Sequence, residues 1–246
     1  MTSFDQYKYI NKCIRLPIEF DAERALSEVR SIPDDRYDNI SRSPTHQDVR
    51  SIFIKGYPPR LEKPDDDREI LKSLPYIASF IRNSLPGTPC KCMIATLRPN
   101  GVIPVHSDAP VRTDGRPVRG NTNATYFEDT IRLHMPVATS RLTSFFNNGE
   151  FFNLHEGEVW AVNNLAIHGV INEHPSDSRT HIIVDILPDE RTEEVIKNAD
   201  FVKGTFDQIL LAKLMENSMA PPDSIYALGR PVPDHSIIEN TAVTPH

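Results

Sequence analysis

The stretch CKCMIATLRPNGVIPVHSDAP, residues 90–110, opens the part of the chain that decides the fold. It holds two short runs rich in apolar and β-branched residues, separated by Pro99, Asn100 and Gly101, which are typical of a turn. Six further runs of this kind follow before residue 188, and no helical periodicity lies among them. Eight strands in about a hundred residues predict a mainly β fold, a double-stranded β-helix (jelly roll, cupin-like) or small barrel.

Helices are expected on both sides of this β core. Asp21 is a plausible N-cap for a helix that ends near Ile32, and a strand is expected at residues 49–56. Residues 68–85 repeat apolar side chains every three or four positions, which predicts one amphipathic helix or two half-helices broken near Pro75. One or two more helices are expected within residues 190–219, so the fold class includes flanking α-helices.

The chain is expected to form one domain over residues 1–219, with the jelly-roll core at about residues 90–188. Residues 220–246 are Pro-rich and lack a hydrophobic period, so a loosely packed or disordered tail is predicted. Residues 109–130 form a long polar insertion between two strands. A loop of that length in a compact domain usually serves as a lid or a binding loop.

The composition is that of a soluble globular protein, with 39% hydrophobic and 25% charged residues. The net charge of −7 comes from interspersed charges of both signs, which argues against a nucleic-acid partner. The three cysteines, Cys13, Cys90 and Cys92, have no repeating spacing and predict reduced thiols. Neither a signal peptide nor a membrane-spanning run is expected, so we predict a cytoplasmic protein without a membrane partner.

His106, Asp108 and His168 are the candidate metal ligands. Two residues apart on a strand, His106 and Asp108 would point to the same side, and His168 could complete the spot. Two imidazoles and one carboxylate form the facial set that holds non-heme Fe(II) and leaves positions open. The alternative for the pair alone is a surface histidine beside a turn-forming aspartate, and for His168 a satisfied core histidine.

Three further residues could bind an anion. In IRLHMPV, residues 131–137, Arg132 and His134 share the face opposite to the apolar positions, so an anionic ligand inside the barrel would give them a partner. The alternative is a solvated face or pairing with Glu128 or Asp129. Arg179 can offer its planar fork to a carboxylate, such as the distal carboxylate of 2-oxoglutarate, and His181 shares its face as a supporting or structural residue.

Four segments carry a family resemblance: HSD at 106–108, RLHMPV at 132–137, GEVWAVNNLAIHGV at 157–170 and RTHIIVDI at 179–186. They resemble the aspartyl/asparaginyl β-hydroxylase family of Fe(II)/2-oxoglutarate-dependent oxygenases, in particular small stand-alone members such as proline cis-4-hydroxylase. The resemblance covers roughly residues 90–188, so it implies that residues 1–219 form an oxygenase domain.

The resemblance also implies roles for residues. It implies that His106 and His168 bind iron, with Asp108 as the carboxylate of the members that have a complete triad. It implies that Arg132 and His134 contact 2-oxoglutarate near the metal and that Arg179 holds its far carboxylate. Some relatives carry a hydroxyl residue eleven positions before the first histidine, where this chain has Ala95 followed by Thr96.

The implied reaction consumes O2 and 2-oxoglutarate, yields succinate and CO2, and hydroxylates an unactivated C–H bond. The expected substrate is a small molecule, an amino acid or a derivative, free or carrier-tethered. Arg112, Arg116 and Arg119 in the long loop are candidates for binding its carboxylate, or are solvated loop charges. Desaturation or ring closure at the same iron site stays open, as do a non-catalytic cupin-like metal-binding module and a homodimer formed through the helices.

Overall fold

A computed structural model describes residues 10, 12–37, 44–56, 67–108, 126–127 and 129–216 of the chain. Within them ten strands form two antiparallel sheets. The strands are β1 (Cys13–Glu19), β2 (Val49–Lys55), β3 (Thr88–Leu97), β4 (Val102–His106), β5 (Ile131–Ala138), β6 (Thr143–Asn147), β7 (Glu150–Phe152), β8 (Glu158–Val162), β9 (His168–Asn172) and β10 (Arg179–Leu187). The major sheet has the order β1-β8-β5-β10-β3-β2, and the minor sheet has the order β4-β9-β6-β7.

The α-helices of the described residues are α1 (Ala22–Arg30), α2 (Pro75–Asn83), α3 (Glu190–Lys197) and α4 (Gln208–Met215). Asp21 caps α1 as predicted, because its side chain accepts a hydrogen bond from the Arg24 amide at 2.9 Å. A 3₁₀ turn at Glu69–Ser73 precedes α2, which begins at Pro75. The half-helix alternative is therefore the correct one, since proline is well suited to the first turn of a helix but not to its interior.

Alternation along the strands sorts apolar from polar side chains. In β5 the side chains of Ile131, Leu133 and Met135 belong to the largest apolar cluster, which also takes in residues of α1 and α2. Arg132 and His134 lie on the opposite side of the strand, toward the minor sheet. A second apolar cluster combines residues of both sheets and lies between them, and a third packs α4 on the outside of the minor sheet.

The predicted fold class, a mainly β double-stranded β-helix with flanking helices, is confirmed, and all eight strands expected from residue 90 onward are present as β3–β10. The three cysteines are free and buried. No helix in the described part of the chain is long and apolar enough to cross a membrane. Most of the long loop, with Arg112, Arg116 and Arg119, lies outside the described residues, and so does the predicted tail. The extent of a single domain over residues 1–219 stays a prediction.

Candidate metal centre and anion pocket

The structure brings His106, Asp108 and His168 together at one end of the minor sheet. Strands β4 and β9 pair so that His106 lies opposite His168, and their ring centroids are 4.3 Å apart. Asp108 lies two residues beyond the end of β4, not on the strand as the sequence interpretation assumed. Its Oδ1 atom is nevertheless 3.5 Å from His106 Nε2 and 3.7 Å from His168 Nε2. One possible ligand atom from each residue lies within 4.8 Å of the others.

Backbone carbonyl groups set the tautomers of the two histidines. His106 Nδ1 is 2.8 Å from the Pro104 oxygen, and His168 Nδ1 is 2.9 Å from the Ala166 oxygen. A carbonyl only accepts, so each ring carries a proton on Nδ1 and turns Nε2 toward Asp108. His106 Nε2 is buried without a hydrogen-bond partner in the described residues. Two imidazoles held in this way beside a carboxylate fit a divalent metal ion such as Fe(II).

Asp108 is held as a carboxylate by its surroundings. Its Oδ2 atom accepts hydrogen bonds from Arg132 Nη1 and, at 3.3 Å, from Asn164 Nδ2. Its backbone amide donates to the Asn164 carbonyl at 3.2 Å. Burial alone would raise the pKa of Asp108, but the charge of Arg132 and the neighbouring histidines bring the pKa well below its usual value. The oxygen that faces the histidines is therefore Oδ1.

Arg132 lies between two carboxylates. Its Nε and Nη2 atoms donate to the two oxygens of Asp185 at 2.7 and 3.1 Å, while Nη1 reaches Asp108. Asp185 is fully buried, faces Arg132 across the β5–β10 pair, and also binds Lys91 Nζ at 3.0 Å and the Tyr126 hydroxyl at 2.8 Å. The partner of Arg132 on its own sheet is thus Asp185, and a contact of Arg132 with 2-oxoglutarate stays a prediction.

Arg179 is a buried cation that has no carboxylate partner among the described residues. Its Nη2 donates to His181 Nδ1 at 2.7 Å, Nε has no partner, and no carboxylate contacts it in the described part of the chain. Burial lowers the pKa of Arg179 from its usual value to about 9. Burying an unpaired charge costs several kcal/mol of folding free energy. Binding of an anion to Arg179 could recover a free energy of about that size.

His134 lies between His181, the hydrogen-bond partner of Arg179, and Phe145, which stacks on the metal-ligand candidate His168. Its Nδ1 atom is 3.2 Å from His181 Nδ1, and burial lowers its pKa well below the usual value. Phe145 packs edge-on against His134, at 5.3 Å between centroids, and lies parallel to the ring of His168 at 6.4 Å. A chain of contacts therefore leads from Arg179 through His181, His134 and Phe145 to His168, and a common binding site for these residues stays a prediction.

The hydroxyl contact seen in some relatives has no counterpart at this position. Ala95 lies opposite His181 in the β3–β10 pair. The hydroxyl of Thr96, one residue on, bonds instead to the hydroxyl of Thr180 at 3.0 Å. Since alternate residues of a strand face opposite ways, Thr96 points away from the interior that holds His181.

Sequence reasoning missed Asp185, Asn164 and His46. Asp185 had a signal, because it shares the face of Arg179 and His181 on an otherwise apolar strand, and a buried charge there requires a partner. Asn164 and His46 had none. His46 ends a 3₁₀ turn in a polar segment, and its ring meets His106 edge-on at 4.9 Å.

The unfolding free energy of the metal-free protein should depend on pH through His168. Burial, then repulsion by His106, lowers the pKa of His168 from 6.5 to about 3. Between these values the unfolded chain binds a proton that the folded chain does not, so stability falls as the pH falls. From about pH 6.5 to about pH 5 the expected loss is about 2 kcal/mol. Denaturant titrations at several pH values measure it, and an unchanged pH slope in His168→Gln would contradict this origin.

Solved structures of several oxygenases are similar to the chain. An oxidoreductase of the 2OG-Fe(II) oxygenase family from Burkholderia pseudomallei is 13% identical with a TM-score of 0.47, and the match covers 81% of this chain and 90% of that one. A prolyl hydroxylase from Trichoplax adhaerens is 12% identical with a TM-score of 0.47, covering 78% and 90%. A prolyl-4-hydroxylase from Pseudomonas putida is 14% identical with a TM-score of 0.43, covering 76% and 97%.

The comparison with protein families is more direct. None of the curated proteins matches the chain in sequence. The model of the family described as aspartyl/asparaginyl β-hydroxylase matches residues 55–188, more than half of the chain. This span contains all six candidate residues, and it confirms the identification made from the sequence. The chain belongs to the aspartyl/asparaginyl β-hydroxylase family.

Proposed function

We propose that the protein is an Fe(II)- and 2-oxoglutarate-dependent dioxygenase that hydroxylates an unactivated C–H bond of an amino acid or amino-acid derivative, free or carrier-tethered. Succinate and CO2 are the co-products. The observation that carries the proposal is Arg179, a buried guanidinium that lacks a carboxylate partner in the described residues and is linked to the metal ligand His168 by contacts through His181, His134 and Phe145. A dicarboxylate that reaches from the metal site to Arg179 would bind the metal at one end and give Arg179 an anionic partner at the other.

His106 Nε2, Asp108 Oδ1 and His168 Nε2 would hold the Fe(II). The bound iron supplies the activation of O2, with one oxygen atom entering succinate and the other entering the hydroxyl group of the product. The carbonyl groups of Pro104 and Ala166 hold a proton on Nδ1 of each imidazole, so Nε2 is the nitrogen that would bind the metal.

Arg179 would bind the far carboxylate of 2-oxoglutarate with parallel hydrogen bonds from its planar fork. Its Nε atom is free for one of these bonds, while Nη2 is held by His181. His134 would line the other end of the co-substrate, as the family resemblance implies. Phe145 packs against His134 and His168, and this apolar ring helps to exclude water from the reacting groups.

A zinc-holding module without turnover would have no need for a buried guanidinium beside its metal site. Arg179 therefore favours the oxygenase over the cupin-like module. Desaturation or ring closure would use the same residues, and only the product separates these outcomes from hydroxylation. The family description names β-hydroxylation of aspartyl and asparaginyl residues, which supports a substrate derived from an amino acid.

Anaerobic titration of the metal-free protein with Fe(II) and then with 2-oxoglutarate tests the proposal. Chelation of iron by the 2-oxo acid produces a weak visible charge-transfer band, which should appear in the wild-type protein and be absent from His106→Ala. Iron binding without any band would overturn the oxygenase assignment in favour of the metal-binding module. If the band forms, an amino-acid panel scored by succinate release identifies the substrate class.

The remaining proposals concern location and assembly. The three buried free thiols support a cytoplasmic location. A homodimer through the flanking helices is proposed by analogy, and sedimentation of the purified protein would test it. We propose no nucleic-acid partner, because the net charge of the chain is −7.

A further inference from the structure

We propose that Asp185 and Arg132 are positioning residues for the metal-binding carboxylate. In this view Asp185 fixes the plane of the Arg132 guanidinium, and Arg132 in turn rotates Asp108 so that Oδ1 faces the two histidines. The inference rests on the proposed metal site. It assigns Arg132 to the metal ligand rather than to the 2-oxo acid.

The first argument is the geometry of the guanidinium. Nε and Nη2 form a two-point contact with Asp185, which fixes both the position and the plane of the group. The remaining nitrogen, Nη1, then has one direction, and it points to Asp108 Oδ2. Because Asn164 Nδ2 donates to the same oxygen, Oδ2 is held by two donors. Oδ1 is left as the oxygen near both Nε2 atoms.

The second argument is the balance of charge. Arg132 and Lys91 contact Asp185, and Arg132 also contacts Asp108, so two cations meet two carboxylates and the group is neutral without any ligand. Arg179 has no carboxylate in the described residues. The two interior arginines therefore differ in kind: an incoming dicarboxylate gains more from Arg179 than from Arg132, whose charge is already compensated.

The third argument is that Asp185 is surrounded by donors. It is 0% exposed and receives hydrogen bonds or ion pairs from Arg132, Lys91 and Tyr126. Burial alone would raise its pKa, but the charges of Arg132 and Lys91 bring the pKa of Asp185 below its usual value. A carboxylate that is fully buried and still ionised gives Arg132 a fixed anchor.

The test is metal affinity measured without 2-oxoglutarate. Co(II) serves as the probe, titrated by calorimetry and by its visible ligand-field spectrum into wild type, Arg132→Lys and Asp185→Asn. Loss of a group that orients a metal ligand typically weakens metal binding by about 10- to 100-fold, so both variants should show a loss of that order and an altered spectrum. With Co(II) saturating, the dissociation constant of 2-oxoglutarate should change by less than about threefold, since Arg179 is intact.

The matched control is Arg15→Lys. Arg15 also bridges two carboxylates, Glu158 at 3.0 Å and Asp200 at 2.5 Å, but neither belongs to the site. It should leave Co(II) affinity unchanged. Adding Arg132→Lys to Asp108→Ala should cause no further loss of affinity, because Arg132 acts through Asp108.

Each other result has one meaning. Normal Co(II) affinity in Arg132→Lys with weakened 2-oxoglutarate binding would overturn the inference and make Arg132 a co-substrate contact, while the proposed function stands. A further loss in the double variant would also overturn it. If wild type itself fails to bind Co(II), the proposed function and the inference both fall. Should Asp185→Asn not fold, as judged by circular dichroism and thermal melting, the charge-preserving Arg132→Lys still decides.

Discussion

Replacing Asp108 with alanine is expected to abolish turnover and to weaken Fe(II) binding by more than about a hundredfold, because losing an orienting neighbour of a ligand alone costs about 10- to 100-fold. The variant keeps both histidines, whose Nδ1 protons still point to Pro104 and Ala166. It removes the one carboxylate oxygen near their Nε2 atoms. It also leaves Arg132 with Asp185 as its remaining acidic partner. Calorimetric titration with Co(II) and assay of succinate release measure the two effects.

Asp177→Ala provides the control for Asp108→Ala. Asp177 lies beside a histidine as well, 3.4 Å from His174 Nε2, but its side chain is 71% exposed and belongs to a turn. Its replacement should change neither metal affinity nor turnover. Full activity in Asp108→Ala would show that two histidines suffice and that the carboxylate of this chain is not an iron ligand.

Replacing Arg179 with methionine should weaken 2-oxoglutarate binding and at the same time stabilise the metal-free protein. Removing one partner of a buried charge pair costs about 2 to 5 kcal/mol of binding, which is about thirtyfold to several thousandfold in the dissociation constant. In the absence of ligand the same substitution removes an unpaired buried cation. Replacing buried ionic groups by apolar ones of similar volume often gains about 1 to 4 kcal/mol. Fluorescence or calorimetric titration measures the loss of 2-oxoglutarate affinity, and denaturant unfolding measures the gain in stability.

The opposite signs make Arg179→Met informative. A general defect in folding would lower both stability and 2-oxoglutarate affinity. Loss of the binding charge alone should raise stability and lower 2-oxoglutarate affinity. Arg15→Met is the comparison, because this partly exposed arginine already has Glu158 and Asp200 as partners and should not affect the co-substrate. Unchanged 2-oxoglutarate affinity in Arg179→Met would remove Arg179 from the pocket.

The fold was largely predictable because period-two alternation is a local property. Strand β5 shows this clearly: its apolar positions are buried against the helices, and Arg132 and His134 face the interior as expected. The break at Pro75 was predictable for the same reason, since proline acts on its own turn. Neither feature depends on contacts that are remote in sequence.

The clustering of the three candidate metal ligands was predicted from the sequence, but the contacts that hold them in place were not. His106 and His168 meet because β4 and β9 pair in one register, which no local pattern encodes. Asp108 reaches the histidines from beyond the strand, where its amide bonds to Asn164. The pairing of Arg132 with Asp185 depends on the β5–β10 register, and His46 approaches from a segment without periodicity. Register and loop path are tertiary properties, so these contacts needed the structure.

The two halves of the interior belong to different sheets. His106 and His168 stand on strands of the minor sheet, while Arg179 stands on β10 of the major sheet. The apolar cluster between the sheets draws members from both of them: Cys13, Leu97, Ile103, Phe145, Phe152, Leu154, Trp160, Val162 and Val170. The thickness of this apolar layer sets the gap between the metal ligands and the guanidinium. The length of the co-substrate that fits between the candidate metal ligands and Arg179 is therefore expected to depend on these apolar side chains.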